Sequence, residues 1–241
     1  MSTLTNSVKH YFSSTHSLLY SYLISLPLLL LYEVLIFIAQ PETEQVVRIS
    51  VDVWIKTLFS YIGPNVLSIT LIFAALLGVI ILYRERERLS SLKLTYFLTM
   101  VIEASVYAFV LALLITSAIA ALFQMIQTPA VESLTILQQL ALSLGAGLYE
   151  ELFFRVILVS VLLFGFNQLF AKKYLSYGLA IVLAAAIFSF VHYIGALGDP
   201  FTISSFLFRF LFGLALNAIY IWRGFGMAAW THAIYDLMVI V

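Results

Sequence analysis

The chain has 241 residues, of which 63% are hydrophobic and 10% charged, with a formal net charge of zero and no cysteine. A water-soluble domain is roughly half apolar and about a quarter charged, so this composition excludes a soluble globular fold and points to lipid as the solvent. The charge balance offers no basic face for nucleic acid, and the lack of cysteine excludes disulfides and thiolate metal sites.

A spanning helix needs about 20 mostly apolar residues. Residues 1–17 are polar, with Lys9 their fixed cation. Leu18–Ala39 contains Glu33. It is too long for a signal-peptide core and lacks a small-residue cleavage site, so it reads as a retained first span. A polar stretch, 40–52, precedes a mixed segment, 53–62, that suits an interfacial helix. The second predicted span is 65–83, closed by the charged run 84–88. The third, 94–125, contains Glu103 and is longer than a bilayer requires, so it tilts or protrudes.

A loop around Pro129 and Glu132 leads to a long apolar tract, 136–170, closed by Lys172 and Lys173. This tract is either one protruding helix or an amphipathic piece followed by a span broken near Gly145 and Gly147. The fifth span is 174–196, ended by the turn residues Gly198, Asp199 and Pro200. The sixth, 203–222, contains Arg209, and Arg223, Gly224 and Gly226 make the next turn. The seventh runs from Met227 onward. The expected fold is an all-α, polytopic membrane bundle of about seven helices. Residues 1–136 supply about three spans and the interfacial segment, residues 137–241 supply the rest, and both form one integrated domain.

On this count one side holds Lys9, Arg84, Arg86, Arg88, Lys93, Lys172, Lys173 and Arg223, and the other holds Arg48 and Lys56. The excess of cations on cytoplasmic loops then predicts a cytoplasmic N-terminus and an external C-terminus. The compact, cysteine-free chain suggests a prokaryotic plasma membrane.

An ionised side chain inside a bilayer costs at least a few kcal/mol at the helix centre, so it needs a partner or a task. The predicted spans contain Glu33, Glu103, Glu150, Glu151, Arg155, His192, Arg209, His232 and Asp236. Six of these nine fall in the fourth, fifth and seventh spans. Adjacent helical residues point about 100° apart, so Glu150 and Glu151 cannot share one direction. Glu151 and Arg155 are spaced i,i+4 with the acid first, the favoured order for a helical ion pair. Glu150 is left without a local cation, as suits a general base or acid. The competing interpretation is two separate ion pairs to other helices.

Phe188 and His192 share a helix face, as do His232 and Asp236. A carboxylate at that spacing can hold an imidazole in one tautomer. A packing histidine and a structural His–Asp hydrogen bond are the alternatives. Arg209 reads as a structural partner of Glu33 or Glu103. A glutamate with two histidines is also a known zinc set, but there is no His-Glu-x-x-His and the three residues lie on different helices, so no cofactor is expected and zinc stays open.

In order, Glu-Glu-x-x-x-Arg (Glu150, Glu151, Arg155), Phe-x-x-x-His (Phe188, His192) and His-x-x-x-Asp (His232, Asp236) resemble the motifs of the CPBP family. That family comprises the type II CAAX prenyl endopeptidases and bacterial relatives linked to bacteriocin processing and immunity. The resemblance covers roughly residues 137–241. It implies an intramembrane glutamate protease in which Glu150 and His192 activate water, while His232 and the residue at Asp236 stabilise the oxyanion. Glu151 and Arg155 are the accompanying motif positions. Well-known members carry Asn where this chain has Asp236. An ionised Asp cannot donate to an oxyanion, so Asp236 is expected to support His232 as the charged donor. The implied partners are the lipid bilayer and a peptide or protein substrate, membrane-embedded or lipidated, with no nucleic acid. Two other functions fit an intramembrane cluster: a proton-coupled transporter, disfavoured because no repeat is visible, and a non-catalytic scaffold or immunity protein.

Overall fold

In this computed structural model, residues 2–39, 50–60, 66–123, 134–194 and 198–240 are described, and among them helices dominate and no strand occurs. The loop around Pro129 and Glu132, the cation Arg48 and the end of the fifth predicted span lie outside the described residues. The chain forms α1 (Ser2–Thr15), α2 (Leu18–Ala39), α3 (Ser50–Ser60) and α4 (Val66–Arg84). A 3₁₀ segment, Arg86–Ser91, then leads into α5 (Leu94–Phe123). The fourth predicted span is one continuous helical rod of 34 residues, Ile136–Leu169. It consists of α6 (Ile136–Gly145), two π-helical segments (Ala146–Glu150 and Leu152–Leu158) and α7 (Val159–Leu169). The remaining helices are α8 (Lys173–Val191), α9 (Ile203–Arg223) and α10 (Phe225–Ile240).

Among the described residues, five helices are long and apolar enough to cross a bilayer: α2, most of α5, the 136–169 rod, α8 and α9. The other two expected spans correspond to α4 and α10. The 16 residues of α10 reach about 24 Å at 1.5 Å per residue, less than the hydrocarbon thickness. The outward faces are apolar. Leu94, Leu98, Ile102, Val106, Phe109 and Leu113 make an exposed stripe along α5, while Met100, Ala104 and Ala108 on its other face are fully buried. Such a stripe would be a liability in water and is the natural surface in lipid. The chain is thus a multi-pass helical membrane protein.

The bundle is organised around α10, which packs on α5, α9, α2 and the 136–169 rod. Its small residues Ala228, Ala229 and Ala233 are fully buried and let neighbouring backbones approach. Three contacts bring helix ends together. The Leu19 amide donates to Glu85 at 3.2 Å, the Lys93 amide donates to the Tyr20 hydroxyl at 2.8 Å, and His16 meets the Ile221 carbonyl at 3.4 Å. The start of α2, the end of α4, the start of α5 and the end of α9 therefore share one end of the bundle. The end of α8 and the start of α9 lie at the opposite end.

The ion pairs correct two expectations. Arg209 does not pair with Glu33 or Glu103. Glu33 binds Lys56 at 2.8 Å, Glu103 binds Arg223 at 2.7 Å, and Arg209 binds Asp199 in the turn before its own helix. The expected loop cations Lys56 and Arg223 are buried partners of intramembrane carboxylates instead. Arg223 also donates to Thr15 at 2.9 Å and lies over the Phe12 ring, and the Tyr11 hydroxyl donates to Glu103 at 2.5 Å. These contacts fold the polar N-terminal segment as α1 and dock it on the bundle, which no apolar pattern in residues 1–17 signals.

Candidate active site

The two glutamates sit where the 136–169 rod departs from α-helical geometry. A π turn closes its hydrogen bond one residue later than an α turn, which rotates the side chains that follow. The first π segment ends at Glu150 and the second begins at Leu152, leaving Glu151 between them. The break foreseen near Gly145 and Gly147 is thus a change of winding, with the rod continuous through it.

Gly147 determines how closely α10 can approach. A methyl added there would lie 2.4 Å from the Ala229 carbonyl oxygen and 2.6 Å from the Ala233 Cβ. Ala233 adjoins His232, so this contact sets the histidine against the glutamates. Gly147→Ala is expected to push α10 away, lowering stability by about 1–3 kcal/mol, and to slow any reaction that uses His232. Unfolding in detergent and turnover, measured side by side, check both effects.

Glu151 is fully buried. Its Oε2 pairs with Arg155 Nε at 3.0 Å, the i,i+4 contact. Its Oε1 lies 2.7 Å from His232 Nδ1, a long-range contact that no spacing rule reveals. His232 Nε2 lies 3.5 Å from Asp236 Oδ2. Each ring nitrogen of His232 therefore faces a carboxylate oxygen, and a hydrogen on either has an acceptor.

Glu150 turns toward α8, where its Oε2 is 3.9 Å from His192 Nε2. His192 caps the C-terminal end of α8. Its Nδ1 is 2.7 Å from the Phe188 carbonyl oxygen. That oxygen can only accept, so Nδ1 carries the hydrogen, and in the neutral ring the Nε2 lone pair faces Glu150. Antiparallel register explains the match in depth. Glu150 precedes Leu169 by 19 residues and His192 follows Lys173 by 19, so each lies about 28 Å along its helix from the shared α7–α8 turn.

Phe188 stands between the groups. Its ring centroid is 5.0 Å from that of His192 and 6.1 Å from that of His232, and the Arg155 guanidinium lies 4.5 Å from its centre. Phe212 meets the His232 ring edge-on at 5.1 Å. The structure thus brings together Glu150 with His192, and Glu151 with Arg155, His232 and Asp236. Arg209, read as structural, lies within electrostatic reach of Glu150, His192 and Asp236. No group of three or more His, Asp or Glu residues among the described residues is arranged to hold a metal ion.

Comparison with known proteins returned no match among curated proteins and none among solved structures. A family model described as type II CAAX prenyl endopeptidase Rce1-like matches residues 132–238. That stretch contains both glutamates, both histidines, Arg155 and Asp236, and it begins five residues before the stretch on which the motifs carried the resemblance. The protease character of that family fits a proteolytic enzyme acting on a peptide or protein in the membrane. Residues 132–238 of this multi-pass helical membrane protein are thus similar to the Rce1-like type II CAAX prenyl endopeptidases.

Proposed function

We propose that this protein hydrolyses a peptide bond within the membrane by using Glu150 to activate water. The observation that carries the proposal is the Glu150–His192 pair at 3.9 Å, with the His192 lone pair turned toward the carboxylate. A water between them can donate one hydrogen to each, which directs its own lone pair outward to a substrate carbonyl. Glu150 takes a proton as the water oxygen bonds to the carbonyl carbon. The same carboxyl then returns the proton to the departing amine as the carbon–nitrogen bond breaks.

The negative charge that develops on the carbonyl oxygen needs a donor. His232 supplies it through Nε2–H. Nδ1–H stays on Glu151, and the two carboxylates around the ring suit the imidazolium form that carries both hydrogens. Glu151, Arg155 and Asp236 are positioning residues in this scheme. We further propose a cytoplasmic N-terminus, supported by Lys9, Arg84, Arg86, Arg88, Lys93, Lys172 and Lys173, which cluster at the bundle end opposite the α8–α9 turn. The reacting groups then lie toward the external half of the membrane.

The test is cleavage of a lipid-tailed peptide set by purified protein in liposomes. Glu150→Ala, His192→Ala and the double variant are each expected to be slower than wild type by at least about a hundredfold. The double variant should be no slower than the worse single, because one water serves both groups. Additive losses would assign the two residues to separate steps. Full rescue of a cellular phenotype by Glu150→Ala would favour a scaffold.

A further inference from the structure

We infer that Tyr149 is a positioning residue for Glu150: its hydroxyl, tied to a buried Glu33–Lys56–Asp52 cluster, fixes the turn of the 136–169 rod that aims Glu150 at His192. The inference rests on the hydrolytic reading above and adds what the N-terminal helices contribute to it, since all three cluster residues lie outside the stretch that the family model matches.

The cluster joins three elements. Lys56 of α3 reaches Glu33 Oε1 of α2 at 2.8 Å and Asp52 Oδ1, one turn back in α3, at 2.9 Å. The Tyr32 hydroxyl donates to Asp52 Oδ2 at 2.7 Å, and the Tyr149 hydroxyl donates to Glu33 Oε1 at 3.0 Å. The Tyr32 and Tyr149 rings meet edge-on at 5.3 Å, and the Lys56 ammonium lies 5.9 Å and 6.0 Å from their centres. All five residues are buried. A buried ion cluster adds little net stability over an apolar filling of the same shape, yet its geometry is strict. Orientation is what it supplies, and Tyr149 passes that orientation to the rod.

Direction matters most at this point of the rod. Tyr149 and Glu150 end the first π segment, where the regular ladder that fixes side-chain direction in an α-helix is broken. Neighbouring contacts set the direction instead. Gly147 faces α10, Tyr149 faces α2, Glu150 faces α8, and Glu151 returns to His232 on α10. Because Tyr149 and Glu150 are adjacent, a rotation that releases one swings the other. A carboxylate about 6 Å from the helix axis moves about 1 Å for a rotation of about 10°. A displacement of that size can cost about a hundredfold in rate.

The experiment uses the full-length protein in liposomes and the same lipid-tailed peptides. For any peptide that is cleaved, Tyr149→Phe keeps the ring, loses the hydroxyl, and is expected to lower kcat about tenfold with KM within about twofold of wild type. Tyr32→Phe removes the same group from the same cluster but no hydrogen bond to the rod. It should cost similar stability in unfolding curves and much less kcat. Glu33→Gln keeps an acceptor oxygen for Tyr149 and should retain more kcat than Glu33→Met, a pair that reads the same contact without altering the rod. In a Glu150→Gln background, Tyr149→Phe should slow the residual cleavage no further, because it acts through the lost carboxylate. Wild-type kcat in both Tyr149→Phe and Glu33→Met overturns the positioning role and leaves hydrolysis standing. So do equal kcat losses in the two Phe variants, or a full Tyr149→Phe loss in the Glu150→Gln background. Failure of wild type to exceed the Glu150→Gln background on every peptide overturns hydrolysis, and the positioning role with it.

Discussion

Arg155→Met is expected to destabilise the protein by about 3–5 kcal/mol, the cost of removing one partner from a buried ion pair. Glu151 and Arg155 are 0% and 1% exposed. Among the described residues the Arg155 terminal nitrogens find no hydrogen-bond partner, so the guanidinium rests on Glu151 and the Phe188 face. Truncating the arginine leaves the carboxylate facing His232 alone. The effect reaches the site as well as the fold, because Glu151 also holds His232 Nδ1 at 2.7 Å. Arg155→Met combined with Glu151→Gln removes both charges and should recover much of the stability while leaving turnover impaired. Equilibrium unfolding in mixed micelles checks the first part and cleavage rates the second. A double variant as unstable as Arg155→Met alone would mean that packing, not charge, carries the loss.

The second large effect concerns the oxyanion. His232→Ala is expected to lower kcat by about 10²–10³, the usual consequence of losing one such donor, with a smaller change in KM. Asp236→Asn should cost less. Asn keeps the shape and a carbonyl oxygen toward Nε2, while the imidazolium loses one of its two carboxylate neighbours and keeps the closer one on Glu151. A His232→Ala enzyme that loses affinity and retains kcat would assign His232 to substrate binding.

Much of this architecture was legible because helical and bilayer geometry impose simple rules. Apolar runs near 20 residues marked the five long spans, and the i,i+4 spacing marked Glu151 with Arg155, Phe188 with His192, and His232 with Asp236 as neighbours on one face. The i,i+4 rule stops at the end of a helix. It could not join Glu151 to His232, which are 81 residues apart, or Glu103 to Arg223, which are 120 apart. Arg209 was misread for the same reason: its partner lies in a turn and counts as no intramembrane charge. The π segments were invisible because i→i+5 winding leaves no pattern in the residues themselves. The small side chains of Gly145, Ala146 and Gly147 marked a close approach without saying which helix would make it, and the structure identifies α10. The docking of α1 depends on a tyrosine, a phenylalanine, a threonine and a distant arginine, a combination that resembles an ordinary polar tail until the bundle is assembled.

Glu150 is the group on which the functional account turns, and conservative replacement isolates it. Gln keeps the size of the side chain and its hydrogen-bonding carbonyl but cannot accept the proton. The direct measurement is single-turnover cleavage of one validated peptide by wild type and Glu150→Gln in identical liposomes, with unfolding curves confirming that both are folded. The account predicts a rate lower by about 10²–10⁴-fold for Glu150→Gln. Cleavage by Glu150→Gln at the wild-type rate would contradict it.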